Sequence, residues 1–377
     1  MRPEIVFVDN IGYANCGDQL MVMAVIEQVE KSFPGARIFV HECIFYPNAS
    51  YFLGKGIYPL QFPGPVKSLR PYRKMLNFLL RKRKYVIPSE VDLVLNCRGY
   101  YLSDYWCYPG MDREEIAYNA HFKNPRTKFI YLPQAFGPFE SETIKFVMST
   151  LYERASMIYA RDRVSYGYLT GLFPDAEKIR IAPDFTCLHH PQQPCSIQLP
   201  PKQYVALILN ARMTDKTSAE VSEAYLTFMR TICMHLLSKD ENVILLNHEG
   251  EQDYLMISDF NRMLPKPLPV YTNLNGDDLK SIIASAKLVI TSRYHGAVSA
   301  LTQGVPVLCT GWSHKYRGLL EEHQCTESLI DVLDTTSAIQ KIDAALSSPL
   351  DYCSKEGCTL SVENKVRQMW DEIVHSL

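Results

Sequence analysis

No stretch of the 377-residue sequence reaches the roughly 18 uninterrupted apolar residues of a membrane span, and the N-terminus lacks the long apolar core of a signal peptide. Charge of one sign is not in excess either: a formal net charge of −2 argues against a dedicated nucleic-acid binder, which would be basic. The eleven cysteines include no Cys-x-x-Cys pair and are odd in number. Several, among them Cys43, Cys97 and Cys309, sit inside apolar runs, where a free thiol acts as a small hydrophobe. That pattern argues against a disulfide framework and suits a soluble protein of a reducing cytoplasm. The glycine fingerprint of dinucleotide binding is missing from the first strand–helix turn, and no acidic residue ends the second apolar run to meet a ribose. With neither a carboxylate cluster nor a close histidine pair, a resident metal is not expected.

The chain does have apolar substance, 47% hydrophobic against 21% charged residues, and a length that suggests two domains. Short runs rich in Val, Ile, Phe and Tyr recur between helix-period segments. In the first half they fall at 4–9, 37–43, 92–97, 128–132, 157–160 and 178–182. In the second they fall at 204–210, 242–247, 269–272, 288–291, 305–310 and 328–332. Near-continuous apolar strands alternating with helices imply parallel sheets covered on both faces. The expected fold is α/β, with two Rossmann-like domains facing across a cleft, residues 1–189 and 202–377. The Pro-rich stretch from His190 to Pro201 would link them, and the last helix could pack on either domain.

Chemistry-bearing residues collect where apolar runs end. The richest segment is Ser292-Arg293-Tyr294-His295-Gly296, closed by Gly304-Val305-Pro306. A strand end followed by a helix start offers free N–H groups and a positive dipole end, and an arginine there can grip a carboxylate or phosphate with two bonds. The bland alternative is that Arg293 pairs with a neighbouring carboxylate and His295 is a packed histidine. Arg212 follows the first strand of the second half, and His248 and Glu249 follow the next. Ser313, His314 and Lys315 follow the strand after Arg293. Cations dominate this set, so a small polyanion is the expected ligand.

In the first half, Asn15 and Asp18 lie in the first turn, where Asp18 is either an N-cap or a ligand contact. Gln134 and Arg161 stand at two later strand ends; Arg161 and Asp162 could equally pair with each other. Residues 67–84 carry eight cations and no acid around Met75, Leu76, Phe78, Leu79 and Leu80. Such a basic amphipathic stretch suggests peripheral contact with an anionic membrane, a phosphorylated acceptor, or simply a solvated helix.

Together these segments resemble the polysaccharide pyruvyl transferase family. The resemblance runs through the Asn10–Asp18 turn, Pro133-Gln134-Ala-Phe-Gly137-Pro138, Ala160-Arg161-Asp162-Arg163-Val-Ser165 and His248-Glu249. It continues through the Arg293–His295 segment to Ser313-His314-Lys315-Tyr-Arg317-Gly318. It implies a GT-B-like fold and transfer of the enolpyruvyl unit of phosphoenolpyruvate onto two hydroxyls of a sugar, as a cyclic ketal in a polysaccharide or cell-surface glycan precursor. Phosphoenolpyruvate would be a co-substrate, with no further cofactor, and the saccharide acceptor is free to be lipid-linked. By the same resemblance His295 would transfer the proton, and Arg293 and Arg212 would hold the donor's anionic groups. Asn15, Asp18, Gln134, Arg161, His248, Glu249, Ser313, His314 and Lys315 would contact substrates. The chain departs from the pattern at Cys97-Arg98-Gly99-Tyr100, where a glycine pair is expected, and by an extra residue between Gly12 and Asn15. Both departures lie in the N-terminal domain, which by the resemblance is the acceptor side, with the C-terminal domain the donor side. The competing readings are a glycosyltransferase using a nucleotide sugar and a non-catalytic glycan-pathway binding protein.

Overall fold

The computed structural model describes residues 2–12, 15–62, 86–191, 197–199 and 203–377. The basic stretch 67–84 lies outside them, as does most of the Pro-rich stretch after His190. By its internal contacts the chain divides into two units. The first comprises residues 1–13, 21–182 and 368–377; the second comprises 14–20 and 183–367.

The first unit holds a seven-stranded parallel sheet. Its strands are β1 (Ile5–Asp9), β2 (Arg37–Val40), β3 (Tyr58–Pro59), β4 (Leu93–Asn96), β5 (Lys128–Gln134), β6 (Ala155–Ala160) and β7 (Ile179–Ile181), in the order 3-2-1-4-5-6-7. The reversal between β1 and β4 is the switch point at which doubly wound sheets leave a crevice. Of the expected strand 37–43, only the first four residues pair; Glu42–Phe45 turn into a short helix. The edge strand β3 was missed because two residues leave no periodicity to read.

The second unit holds a five-stranded parallel sheet. It contains β8 (Val205–Ile208), β9 (Val243–Leu246), β10 (Val270–Tyr271), β11 (Leu288–Thr291) and β12 (Val307–Cys309), in the order 10-9-8-11-12. Alternate strand residues feed two separate cores. Val205, Leu207, Val243, Leu245, Leu288 and Ile290 point to one face, and Ala206, Ile208, Ile244, Leu246 and Val289 to the other. Both faces are therefore apolar, which explains why these strands read as unbroken hydrophobic runs. The stretch 328–332 is not a strand: a 3₁₀ turn ends at Ser328, and only Leu329 bridges Cys309 of β12.

The units depart from the expected bounds at residues 14–20 and 183–189, which group with the second unit. Residues 183–189 group with the second unit because the buried Lys280 Nζ donates to the carbonyls of Thr186 (3.1 Å) and His189 (2.5 Å), while His189 Nε2 meets Asp277 at 2.6 Å. The last helix is divided, its residues through Arg367 grouping with the second unit and those from Gln368 onward with the first. All ten cysteines among the described residues are free thiols. No helix among the described residues is long and apolar enough to cross a membrane.

Candidate functional site

The switch point of the second sheet lies between β8 and β11, and both strands end in a polar knot. The Asn210 amide donates to the Ser292 carbonyl (2.7 Å), which also accepts from the Tyr316 hydroxyl (2.7 Å). The Ser292 hydroxyl accepts from Tyr225 (2.8 Å) and Thr310 (2.7 Å). All five residues are buried. Side-chain bonds thus satisfy the frayed strand ends and fix the backbone from which Arg293 and His295 project.

Arg293 is the residue just ahead of helix α8 (Tyr294–Thr302). Its side chain is buried and committed to carboxylates. Nε and Nη2 bond both oxygens of Asp253 (2.8 and 2.5 Å), and Nη1 reaches Glu249. Asp253 is fully buried in the first turn of α6 (Gly250–Arg262), where it also accepts the Ala211 N–H at 2.9 Å. Burial pushes its carboxyl up to about 7, with the Ala211 N–H and the Arg212 charge acting against the rise. Arg212 in turn bonds Asp215 and Gln252. The expectation that cations dominate this rim is therefore corrected: Asp215, Glu249 and Asp253 answer the two arginines. Asp253 was not singled out, although its place one helical turn after Glu249 was a readable signal.

His295 lies in the first turn of α8, mostly buried, between two groups of its own unit. Its Nε2 is 3.4 Å from the buried Asp184 carboxylate. Asp184 is held by the Thr186 N–H (3.0 Å) and hydroxyl (2.5 Å). On the opposite edge Nδ1 abuts Gly17, where an added Cβ would stand 2.2 Å away. Asp184 is a functional candidate that the sequence did not disclose, since it precedes a short apolar 3₁₀ turn and matches no motif.

The first turn of the chain joins this site. Cys16 N–H donates to the His248 carbonyl (3.1 Å), Asn15 bridges Glu249, and Gln19 accepts the Gly276 N–H (2.9 Å). These bonds explain why residues 14–20 group with the second unit. Helix α1 (Cys16–Ser32) begins two residues before Asp18, so Asp18 is not its N-cap; the Asn15 side chain accepts the Gly17 N–H (2.8 Å) instead. Asp18 sits in the first turn, where an acid suits the helix dipole.

His248 is 2% exposed, and neither ring nitrogen has a hydrogen-bond partner among the described residues. Burial first, then the charges of Arg293 and His295, hold it well below the ordinary histidine range, so it is neutral at pH 7. Beyond β12, Lys315 is buried with its ammonium over the rings of Trp312 (4.5 Å), Tyr294 (5.4 Å) and Tyr316 (5.6 Å). The Ser313 hydroxyl is buried with no partner among the described residues, and His314 precedes α9 (Lys315–Glu322). The structure thus gathers Asn15, Arg212, His248, Glu249, Arg293, His295, Ser313, His314 and Lys315 around the strand ends of one unit.

Gln134 and Arg161 belong to the first unit, joined by an Arg161 N–H to Gln134 carbonyl bond of 3.0 Å. Asp162 and Ser165 cap the following helix: Asp162 accepts the Ser165 N–H and hydroxyl, both at 2.8 Å. At the switch point of this sheet Arg98 donates to Asp9 (Nε 3.1 Å, Nη2 3.0 Å) and Glu115 (3.0 Å), between the rings of Tyr118 and Tyr101. Asn96 bonds Asp9 (2.8 Å) and accepts from Gln134 (3.0 Å). Burial alone would raise the Asp9 pKa; the Arg98 charge and the His41 bond outweigh it and hold the carboxyl well below the carboxylate range. The space left there is about 10 Å³, room for a water at most. Arg98, the departure from the family pattern, thus fills its own crevice.

Among the described residues no group of three or more His, Cys, Asp or Glu side chains is arranged to hold a metal ion. The fold is shared with several solved GT-B-like enzymes. The Anabaena protein Alr3699/HepE, solved with UDP-glucose, is 13% identical over 100% of both chains, with a TM-score of 0.61. A putative UDP-N-acetylglucosamine 2-epimerase of Listeria monocytogenes is 10% identical over 98% of this chain and 96% of its own, with a TM-score of 0.59. The UDP-GlcNAc 2-epimerase of Methanocaldococcus jannaschii is 11% identical over 97% and 99%, with a TM-score of 0.58. At such identities the likeness establishes the fold alone. No curated protein sequence matches the chain. The family model for polysaccharide pyruvyl transferase matches residues 15–314, the span that carries the Asn15 turn, both arginines, His295 and the Ser313 loop, and the chain belongs to that family.

Proposed function

We propose that this protein transfers the enolpyruvyl unit of phosphoenolpyruvate to two hydroxyls of a sugar, forming a pyruvate ketal and releasing phosphate. One observation carries the reading beyond the family: His295 stands with a buried carboxylate, Asp184, on one ring edge and a side-chain-free backbone, Gly17, on the other. An imidazole held by a carboxylate is oriented and made more basic, the arrangement that suits proton transfer.

In the reaction, one sugar hydroxyl adds to C2 of the donor while a proton goes to the methylene carbon. Phosphate then leaves C2 and the second hydroxyl takes its place. Of the two hydroxyl protons, one ends on the new methyl group and the other on phosphate. Asp253 pins one side of Arg293, so its Nη1 edge is presented toward Glu249, whose side chain is 32% exposed. Substrate anion replaces Glu249 on that edge, with Arg212 and Lys315 supplying further positive charge against the leaving phosphate. The transfer is assayed as phosphate released from phosphoenolpyruvate in the presence of candidate saccharides. His295→Ala is expected to lower the rate by about 10²–10⁴-fold, the range of general acid–base catalysis. Unchanged release in that variant removes His295 from its role.

A further inference from the structure

A cavity of about 480 Å³ opens at the carboxyl ends of β9 and β10, entirely within the second unit, and the reaction above makes no use of it. Its lining includes Asn247, His248, Tyr254, Thr272, Asn273 and Leu274. The volume falls in the range of small-molecule sites. No lysine or arginine lines it, and Glu251 does, so it is unsuited to phosphate or carboxylate.

Its polar atoms are poised for a different chemistry. The Asn247 amide nitrogen is spent on the Gly250 carbonyl (3.1 Å), while its Oδ1 is buried without a partner among the described residues and needs a donor. Neutral His248 has one nitrogen that donates and one that accepts, and both lack partners there. Buried polar atoms left unmatched are destabilising, so their presence at a cavity wall points to a ligand that matches them. Hydroxyl groups both donate and accept. Tyr254, 46% exposed, and Leu274 add the apolar surface on which the C–H face of a pyranose packs.

We infer that this cavity is a saccharide subsite, taking an uncharged sugar ring through hydroxyl bonds to Asn247 and His248 with Tyr254 against its face. His248 is joined in sequence to Glu249, the partner of Arg293, so a sugar here lies beside the proposed donor site. Its role as the acceptor subsite rests on the transfer reaction proposed above; its binding of sugar does not.

The test is saturation-transfer NMR on the full chain with the methyl glycosides of glucose, galactose, mannose and N-acetylglucosamine, and with uridine. Phosphoenolpyruvate-induced thermal stabilisation is read on the same samples. At least one glycoside is expected to bind, and Tyr254→Ala, at a half-exposed position that the fold tolerates, is expected to weaken it about tenfold, or 1.4 kcal/mol. Asn247→Ala is expected to act in the same direction. No glycoside bound by the wild type, equal binding in both variants, or uridine bound in place of the glycosides overturns the inference. Absence of stabilisation by phosphoenolpyruvate overturns the transferase reading instead and leaves the glycoside result to decide the cavity.

Discussion

Gly17 lies so close to His295 that a Cβ at residue 17 would stand 2.2 Å from the imidazole Nδ1. The first turn of the chain and the histidine at the head of α8 therefore form one surface, and the glycine is required by contact, not by backbone conformation. Gly17→Ala is expected to push the ring away from Asp184 and lower kcat about a hundredfold, the scale of an ångström-size misplacement. The melting temperature should change little, because the displaced group is a side chain at the rim of the site. A Gly17→Ala protein with wild-type turnover would show that the contact is incidental.

Asp184→Asn keeps the size of the side chain and a bond to Thr186 but removes the negative charge beside His295. The expected outcome is a lower kcat with little change in KM for phosphoenolpyruvate, and a basic limb of the pH–rate profile displaced to lower pH. A merely structural Asp184 would alter stability and leave the profile in place.

Glu249 occupies the Nη1 edge of Arg293 that the proposal gives to the substrate. Glu249→Gln removes the competing charge, so phosphoenolpyruvate is expected to bind more tightly, by about 0.5–2 kcal/mol for one partly exposed carboxylate. Calorimetric titration checks the sign; weaker binding in the variant would mean that Glu249 assists the donor rather than yielding to it.

In the first unit, Arg98 joins Asp9 and Glu115 in a buried network stacked on two tyrosines. Arg98→Ala leaves two buried carboxylates without their cation and is expected to cost about 3–5 kcal/mol in denaturant unfolding. Arg98→Lys should recover only part, because an ammonium cannot span both carboxylates in one plane. Full recovery by lysine would reduce the network to simple charge neutralisation.

His323 is buried against Ser354 and held down to about 4 by burial, with the Lys365 charge adding to it. Since its folded pKa is below the ordinary 6.5, the unfolded chain binds the extra proton between those values. Stability from this group is thus intact above pH 6.5 and is lost as pH falls toward 4, by about 3 kcal/mol at 1.36 kcal/mol per unit. His323→Gln should flatten that part of the stability curve; an unchanged slope would exclude the histidine as its source.

The sheets were legible because their strands are apolar on both faces, as the alternate packing of Val205 to Ile208 into two cores shows. The stretch 328–332 misled for the same reason: Ile330 and Val332 are buried and Leu329 partly so, but only Leu329 finds a strand partner. Arg212, Arg293 and His295 could be placed at strand ends from the sequence, because turn position follows from periodicity. Their partners could not. Asp184 and Asp253 are brought to His295 and Arg293 by tertiary packing across 111 and 40 positions; no local pattern marks Asp184, and only its spacing from Glu249 marks Asp253. The union of the Asn15–Gly17 turn with the His248–Glu249 segment is likewise a long-range pairing.

The most direct test of the central claim is calorimetric titration of the full chain with phosphoenolpyruvate and, separately, with UDP-glucose. Phosphoenolpyruvate is expected to bind saturably, with binding preserved in His295→Ala, and UDP-glucose is expected not to bind. Saturable binding of UDP-glucose with none of phosphoenolpyruvate would contradict the claim.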